Sequence, residues 1–231
     1  MRYTRLYRRP LLPVVSRFIN CVEWPEGSLD DLLPGERWRG LTVSSGVSDL
    51  SAIDRMPNLE ELSIGPYCSG TFRLESLPKL RDLGVEVGPG RKIVPAGGEL
   101  LESVFLDACT RPWALWLESL PRLKRVRLDR PRTLPQRLPE SVEVLDIALV
   151  TKWDARVERI EGLTSLRELH LTGLRGMSDL GVFSSARNLE FLYAEDCDEL
   201  VSTDGPGWSE GASARYVGRT PVSVFPPQPH G

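Results

Sequence analysis

The stretch that decides the fold is Leu163-Thr164-Ser165-Leu166-Arg167-Glu168-Leu169-His170-Leu171. Its leucines first recur at an interval of three residues and then at an interval of two. A spacing of three suits a tight 3₁₀-like turn. A spacing of two is typical of a strand whose alternate side chains face the core. The stretch therefore predicts a compact turn that leads directly into a short strand.

The same pattern, apolar-x-x-apolar-x-apolar, recurs along most of the chain. Its matches are Trp38/Leu41/Val43, Leu59/Leu62/Ile64, Leu80/Leu83/Val85, Leu101/Val104/Leu106, Leu123/Val126/Leu128, Val142/Leu145/Ile147, Leu166/Leu169/Leu171 and Leu189/Leu192/Ala194. Successive matches begin 21, 21, 21, 22, 19, 24 and 23 residues apart. Near-constant spacing of this kind is the signature of a repeat architecture. It predicts about eight units, each with one strand and a compact return.

A single unit cannot fold alone, because its few large apolar side chains cannot offset the entropy of ordering its backbone. Stacking solves this problem, since neighbouring units then share one continuous core and their strands pair side by side. We therefore expect the strands to form one parallel sheet.

Two segments carry a resemblance to a known family. They are Met56-Pro57-Asn58-Leu59-Glu60-Glu61-Leu62-Ser63-Ile64 and the stretch quoted above. Both resemble the leucine-rich-repeat (LRR) family, and the resemblance covers about residues 31–201. It implies an α/β solenoid of about eight units, a horseshoe with a concave parallel β-sheet and short 3₁₀ or turn returns on the convex side. It also implies non-catalytic protein binding through the concave face.

The chain departs from that family at one turn position. The family usually has Asn or Cys three residues after the last strand leucine, where the side chain bonds the backbones of neighbouring turns. Cys109 and Cys197 fit this pattern, whereas the other units have residues such as Gly46, Tyr67 and Leu174 there. The departure predicts irregular turns.

The ends differ in composition from the repeats. Residues 1–30 are interpreted as an N-terminal arm and cap that can add a first atypical strand, and residues 31–201 as the repeat domain. Residues 202–231 are rich in Pro, Gly and Ser. Such composition is typical of disorder, so we expect a solvated tail.

Composition limits the class of partner and the compartment. The net charge of -3 argues against a general nucleic-acid binder. No apolar stretch approaches the length of a membrane span, and the short apolar run after the basic N-terminus is broken by Pro13. The four scattered cysteines fit a reducing compartment. We therefore expect a cytoplasmic protein, and the abundance of Arg, Ala, Gly and Pro suggests a GC-rich, bacterial genome.

Residues between the strand leucines point to the opposite, open side of the sheet. The first half of this side is small and acidic, whereas the second half carries aromatic residues, a histidine and two arginines. The candidate partner-binding residues are Phe105, Arg125, Arg127, Asp146, Glu168, His170, Phe191 and Tyr193. Exposed aromatic and arginine side chains are typical of interface hot spots. An equally good interpretation is that Arg127 pairs with Asp146, and Arg125 with nearby acids, only to relieve crowding.

Catalysis is not expected. The chain has two histidines, His170 and His230, and none of the motifs HExxH, GxSxG or paired cysteines. We therefore assign no catalytic residues, no metal ligands, no cofactor and no small-molecule substrate.

The sequence predicts a protein-binding scaffold or adaptor that acts through the concave face. An alternative is an inhibitory partner, such as an immunity protein that neutralises a bacterial toxin. A minor alternative is nucleic-acid binding through the basic segment 111–137, where eight Lys or Arg residues stand against two acids.

Overall fold

The computed structural model describes residues 16–19, 29–32, 37–86, 95–153 and 159–222. Within these residues, ten parallel strands form one open sheet in sequence order, from β1 at one edge to β10 at the other. The strands are β1 Ser16–Ile19, β2 Gly40–Ser45, β3 Glu61–Tyr67, β4 Asp82–Glu86, β5 Ser103–Asp107, β6 Arg125–Asp129, β7 Val144–Ala148, β8 Glu168–Thr172, β9 Leu189–Glu195 and β10 Trp208–Val217. The expected parallel sheet is thus confirmed, with two strands beyond the eight predicted units.

In the middle of strands β2 to β9, every second side chain is buried, which fixes the face that each strand turns to the core. In β6, Val126 and Leu128 are buried while Arg125 is exposed and Arg127 is partly exposed. The register aligns buried residues of adjacent strands, so that Leu106 lies beside Leu128. The predicted strand triads therefore occupy equivalent positions, and their inward side chains form one hydrophobic core.

Spacing of three in the returns produces 3₁₀-type hydrogen bonds. The amides of Ile53, Met56 and Leu59 each donate to the carbonyl three residues earlier, at 3.0, 2.9 and 3.1 Å. The 3₁₀ helices of the described residues are Asp30–Leu32, Ser51–Arg55, Leu74–Ser76, Leu163–Ser165 and Gly181–Phe183. One return instead contains a short α-helix, α1 Arg111–Leu117, which buries Trp113 and Trp116.

A left-handed residue follows directly after most strands. These corner residues are Gly46, Ala108, Arg130, Leu149, Gly173, Asp196 and Gly218, with φ between 47° and 78°. Five of their amides connect neighbouring units, those of Ala108, Arg130, Leu149, Gly173 and Asp196. For example, Ala108 donates to the carbonyl of Asp129 at 2.7 Å, and Leu149 to that of Thr172 at 2.7 Å. This backbone ladder keeps the corners regular although most of the expected Asn or Cys side chains are missing.

The turn after β3 differs from the sequence prediction. Tyr67 was expected at the inward turn position, but its side chain is 78% exposed, and the buried residue is Cys68. The register shift between β2 and β3 explains this, because it inserts one extra residue before the turn. The Cys68 thiol lies 3.5 Å from the carbonyl oxygen of Val43.

Structure also extends beyond the predicted repeat domain at both ends. At the N-terminal end, β1 pairs in parallel with β2, which agrees with the expected atypical first strand; the rest of the arm falls mostly outside the described residues. At the C-terminal end, the expectation of a disordered 202–231 tail is wrong for Trp208–Val217, which forms β10 against β9. Tyr216 and Ala214 alternate against the core there, a short period-two pattern that the surrounding Gly and Pro residues obscured. Residues 223–231 lie outside the described residues.

Candidate binding face

The open face is the side of the sheet opposite the core. Backbone register places Phe105, Arg127, Asp146, His170 and Tyr193 side by side on β5 to β9. A second row aligns Arg125, Val144, Glu168 and Phe191 on β6 to β9 in the same way. All eight candidate residues therefore lie on five adjacent strands, spaced about 4.8 Å apart as sheet geometry requires.

Arg127 is the centre of an ion-pair network. Its Nε lies 3.0 Å from Asp129 Oδ1, and its Nη1 lies 3.3 Å from Asp146 Oδ2. The guanidinium carbon also lies 5.6 Å from the centre of the Phe105 ring. The side chains of Arg127, Asp129 and Asp146 are only 23%, 18% and 21% exposed. The expected Arg127–Asp146 pair is thus present, and the network includes Asp129, which the sequence analysis did not select.

Arg125 behaves differently from Arg127. Its position is exposed on the open face. No ion pair of Arg125 occurs within the part of the chain that the structure describes. The predicted pairing of Arg125 with nearby acids is therefore not observed among the described residues.

Burial raises the pKa of Asp146 above its ordinary value, while the positive charge of Arg127 and the nearby His170 oppose the shift. The carboxylate consequently depends on Arg127 to remain charged at low cost. This dependence makes the Arg127–Asp146 pair part of the structure of the face.

An aromatic cluster adjoins the network. The rings of His170 and Phe191 lie 5.8 Å apart at 66°, and those of His170 and Tyr193 lie 6.0 Å apart. His170 Nε2 is 3.4 Å from Glu168 Oε2, and the Tyr193 hydroxyl donates to Glu195 Oε2 at 2.9 Å. The edge-to-face contact of His170 with Phe191 and the hydrogen bond of the Tyr193 hydroxyl orient the rings, whereas His170 Nε2 is buried without a hydrogen bond to any described residue.

The other half of the open face is acidic. Glu61 on β3 lies directly beside Asp82 on β4. The pKa of Glu61 is raised, first by burial and then by the negative charges of Asp82 and Glu60. A cation placed here by a partner would relieve this repulsion.

A carboxylate row runs along the ends of β4 to β6. The sheet register aligns Glu86, Asp107 and Asp129 at this edge. The Arg130 guanidinium covers Asp107, with Nε donating to Oδ1 at 2.9 Å. The pairing of Asp107 with Arg130 is not visible in the sequence, because Arg130 reaches back to β5 from the left-handed corner after β6.

The described residues contain neither a metal-binding cluster nor a helix that could cross a membrane. No group of three or more His, Cys, Asp or Glu residues there is arranged to hold a metal ion. No helix in the same residues combines the length and apolar character that crossing a bilayer requires.

Comparison with known proteins gave no match to a family model, to a curated protein or to a solved structure. The candidate face is therefore interpreted from its own geometry.

Proposed function

We propose that this chain is a non-catalytic protein-binding scaffold or adaptor of the leucine-rich-repeat type, with the open face as its binding surface. The observation that carries the proposal is the in-register row from Phe105 to Tyr193, where aromatic side chains flank the Arg127 network. Tyrosine and arginine are enriched among residues that dominate binding energy.

Preorganisation supports this role. The row stands on paired strands, and Tyr193 and Arg127 are held by hydrogen bonds and ion pairs within the face. Side chains that are already ordered lose little entropy on association. A partner can therefore gain most of the contact energy of the aromatic cluster.

The acidic half supports a partner with basic groups. Crowding of Glu61 and Asp82 on adjacent strands means that cations of a partner would reduce their repulsion. Complementary charge of this kind mainly accelerates association and sets specificity. We expect the association rate to decrease with added salt.

We also propose a reducing, cytoplasmic environment. Cys109 and Cys197 are buried free thiols, and both lie at turn positions where the family usually has Asn or Cys.

Site-specific photocrosslinking tests the proposal in the native cell. A benzophenone side chain at Phe191 is expected to capture a protein, whereas one at Val201, an exposed residue of the segment between β9 and β10, is not. Against the captured protein, Tyr193→Ala and Phe191→Ala are each expected to weaken binding at least roughly tenfold, as hot-spot truncation does. Val201→Ala serves as the control outside the sheet. Unchanged affinity in both face variants would reject the proposal.

The acidic crowding also favours the second candidate, an inhibitory partner such as an immunity protein that neutralises a bacterial toxin. A basic toxin surface would fit Glu61 and Asp82. Co-expression with the toxin encoded by a neighbouring gene tests this role. Protection that is lost with Glu61→Lys and retained with Arg122→Glu, an exposed change off this surface, supports inhibition. Absence of protection by the unaltered chain excludes it.

A further inference from the structure

A groove lies apart from the open face, beyond the carboxyl ends of β5, β6 and β7. It encloses about 420 Å³ between α1, the segment after β6 and the segment after β7. Its described lining is Arg111, Ala114, Leu115, Glu118, Pro131, Arg132, Thr133, Leu134, Gln136, Val150 and Lys152. Three successive units contribute, so the groove exists only in the stacked chain.

The floor of the groove is apolar. Leu115 is 56% exposed, although its neighbours in α1, Ala114 and Trp116, are buried. Leu134 and Val150 complete the floor and are nearly buried themselves. A single exposed leucine is unremarkable on a protein surface. Here, however, Leu115 lies in a concave site beside other apolar side chains, which is the usual form of an anchor pocket.

The rim of the groove is basic. Among the described lining residues, Arg111, Arg132 and Lys152 are positively charged and Glu118 is the single acid. None of the three cations forms an ion pair within the described residues. Glu118 instead accepts a hydrogen bond from the Arg137 amide at 3.4 Å. The groove thus has a local charge opposite in sign to the chain's net charge of -3.

The walls of the groove are held by the backbone. The amides of Arg132 and Thr133 both donate to the carbonyl oxygen of Cys109, at 2.9 and 3.1 Å. Next to Lys152, the Trp153 amide donates to the carbonyl of Arg175 at 2.7 Å. A ligand would therefore meet a preformed site rather than order a loose segment.

We propose that this groove binds an acidic protein segment that inserts one apolar side chain against Leu115 and places carboxylates beside Arg111, Arg132 and Lys152. The site is a second interaction surface, independent of the open face. A protein segment is favoured over nucleic acid because the described lining of the groove contains no aromatic side chain on which bases could stack.

Fluorescence anisotropy with the full chain tests the site. The probe is a labelled synthetic peptide rich in Asp and Glu with one central leucine. Its controls are the same peptide with serine in place of leucine, and labelled single-stranded and duplex DNA. We expect saturable binding of the leucine peptide and at least roughly tenfold weaker binding of the serine peptide, which corresponds to about 1.4 kcal/mol.

Variants locate the binding on the groove. Leu115→Ser and Arg132→Glu are each expected to weaken peptide binding at least about tenfold. Their controls are Leu149→Ser, an exposed leucine outside the groove lining, and Arg122→Glu, an exposed charge change outside it. Circular dichroism verifies that each variant is folded. Folding is expected to persist, because all four substituted side chains are exposed.

The outcomes are distinct. Binding that requires both Leu115 and Arg132, and the leucine of the peptide, supports the site. No binding of the leucine peptide, equal binding of the serine peptide, or stronger binding of DNA that is lost with Arg132→Glu would each overturn it.

Discussion

Replacement of Arg127 by methionine tests whether the ion-pair network holds the open face together. Methionine preserves the length and the apolar stem of the side chain while it removes the charge. At 3.3 Å from Asp146, two unit charges interact by about 5 kcal/mol at an effective dielectric constant near 20. Desolvation of both groups offsets much of this attraction.

The partial exposure of the network determines how much stability the substitution is expected to remove. Exposed ion pairs contribute about 0–1 kcal/mol, and breaking a fully buried pair costs about 3–5 kcal/mol. Since the Arg127 and Asp146 side chains are 23% and 21% exposed, we expect Arg127→Met to lower the free energy of unfolding by about 2 kcal/mol at neutral pH.

The effect depends on pH with a definite sign. Burial already raises the pKa of Asp146, and loss of Arg127 removes its main opposing charge. In the variant the folded state therefore retains the Asp146 proton to higher pH than the unfolded state does. The destabilisation is small where Asp146 is protonated in both states and grows as the pH rises through the raised folded pKa.

Urea unfolding, followed by tryptophan fluorescence from acidic to neutral pH, measures this effect. Arg122→Met, an exposed change outside the network, is the control. A double-mutant cycle with Asp146→Asn is expected to give a coupling energy of about 1–2 kcal/mol. A coupling energy near zero, or a destabilisation by Arg127→Met that does not change with pH, would refute the structural role of the pair.

Three further predictions concern the backbone, the acidic half and the thiols. Gly173→Ala is expected to lower stability by about 1 kcal/mol, because φ is 63° at this corner; thermal melting measures it, and Gly84→Ala, where the added Cβ meets only side chains, is expected to cost less. Glu61→Gln is expected to raise the free energy of unfolding by roughly 0.3 kcal/mol at neutral pH after solvent screening, because the raised pKa makes the ionised form unfavourable. That gain should vanish below the ordinary glutamate pKa in urea titrations, where Glu61 is neutral in both states, and a gain that persists there would contradict the electrostatic explanation. Burial raises the pKa of Cys109 to about 12, and Cys68 and Cys197 are also buried. In a Cys21→Ser background the three thiols should therefore react with a disulfide reagent only on unfolding, and rapid reaction of the native protein would contradict their burial.

The repeats themselves were predictable from the sequence. Local periodicity located the strands β2 to β9, because a residue in a half-buried strand must alternate between core and solvent. The spacing of three at Leu50, Ile53, Met56 and Leu59 likewise corresponds to successive 3₁₀-type hydrogen bonds. Where the period was interrupted, prediction failed. One inserted residue in β3 moved the buried turn position from Tyr67 to Cys68.

The C-terminal strand was missed for a related reason. Its core-facing pattern is short and is surrounded by Gly and Pro, so composition favoured disorder. Pairing with β9 overrides composition, because the edge strand of an open sheet and the core beneath it are stabilised by any strand that covers them.

By itself, the sequence determined which residues share a row of the open face, since equal positions in equal repeats must stack in register. Phe105, Arg127, Asp146, His170 and Tyr193 follow from that rule. Only the tertiary structure decided the pairings within the rows, such as the bond from Arg127 to Asp129. It also decided the groove around Leu115, which three non-periodic returns build together. The physical reason is that periodicity specifies backbone position, whereas side-chain pairing and loop packing depend on rotamers and contacts that do not repeat.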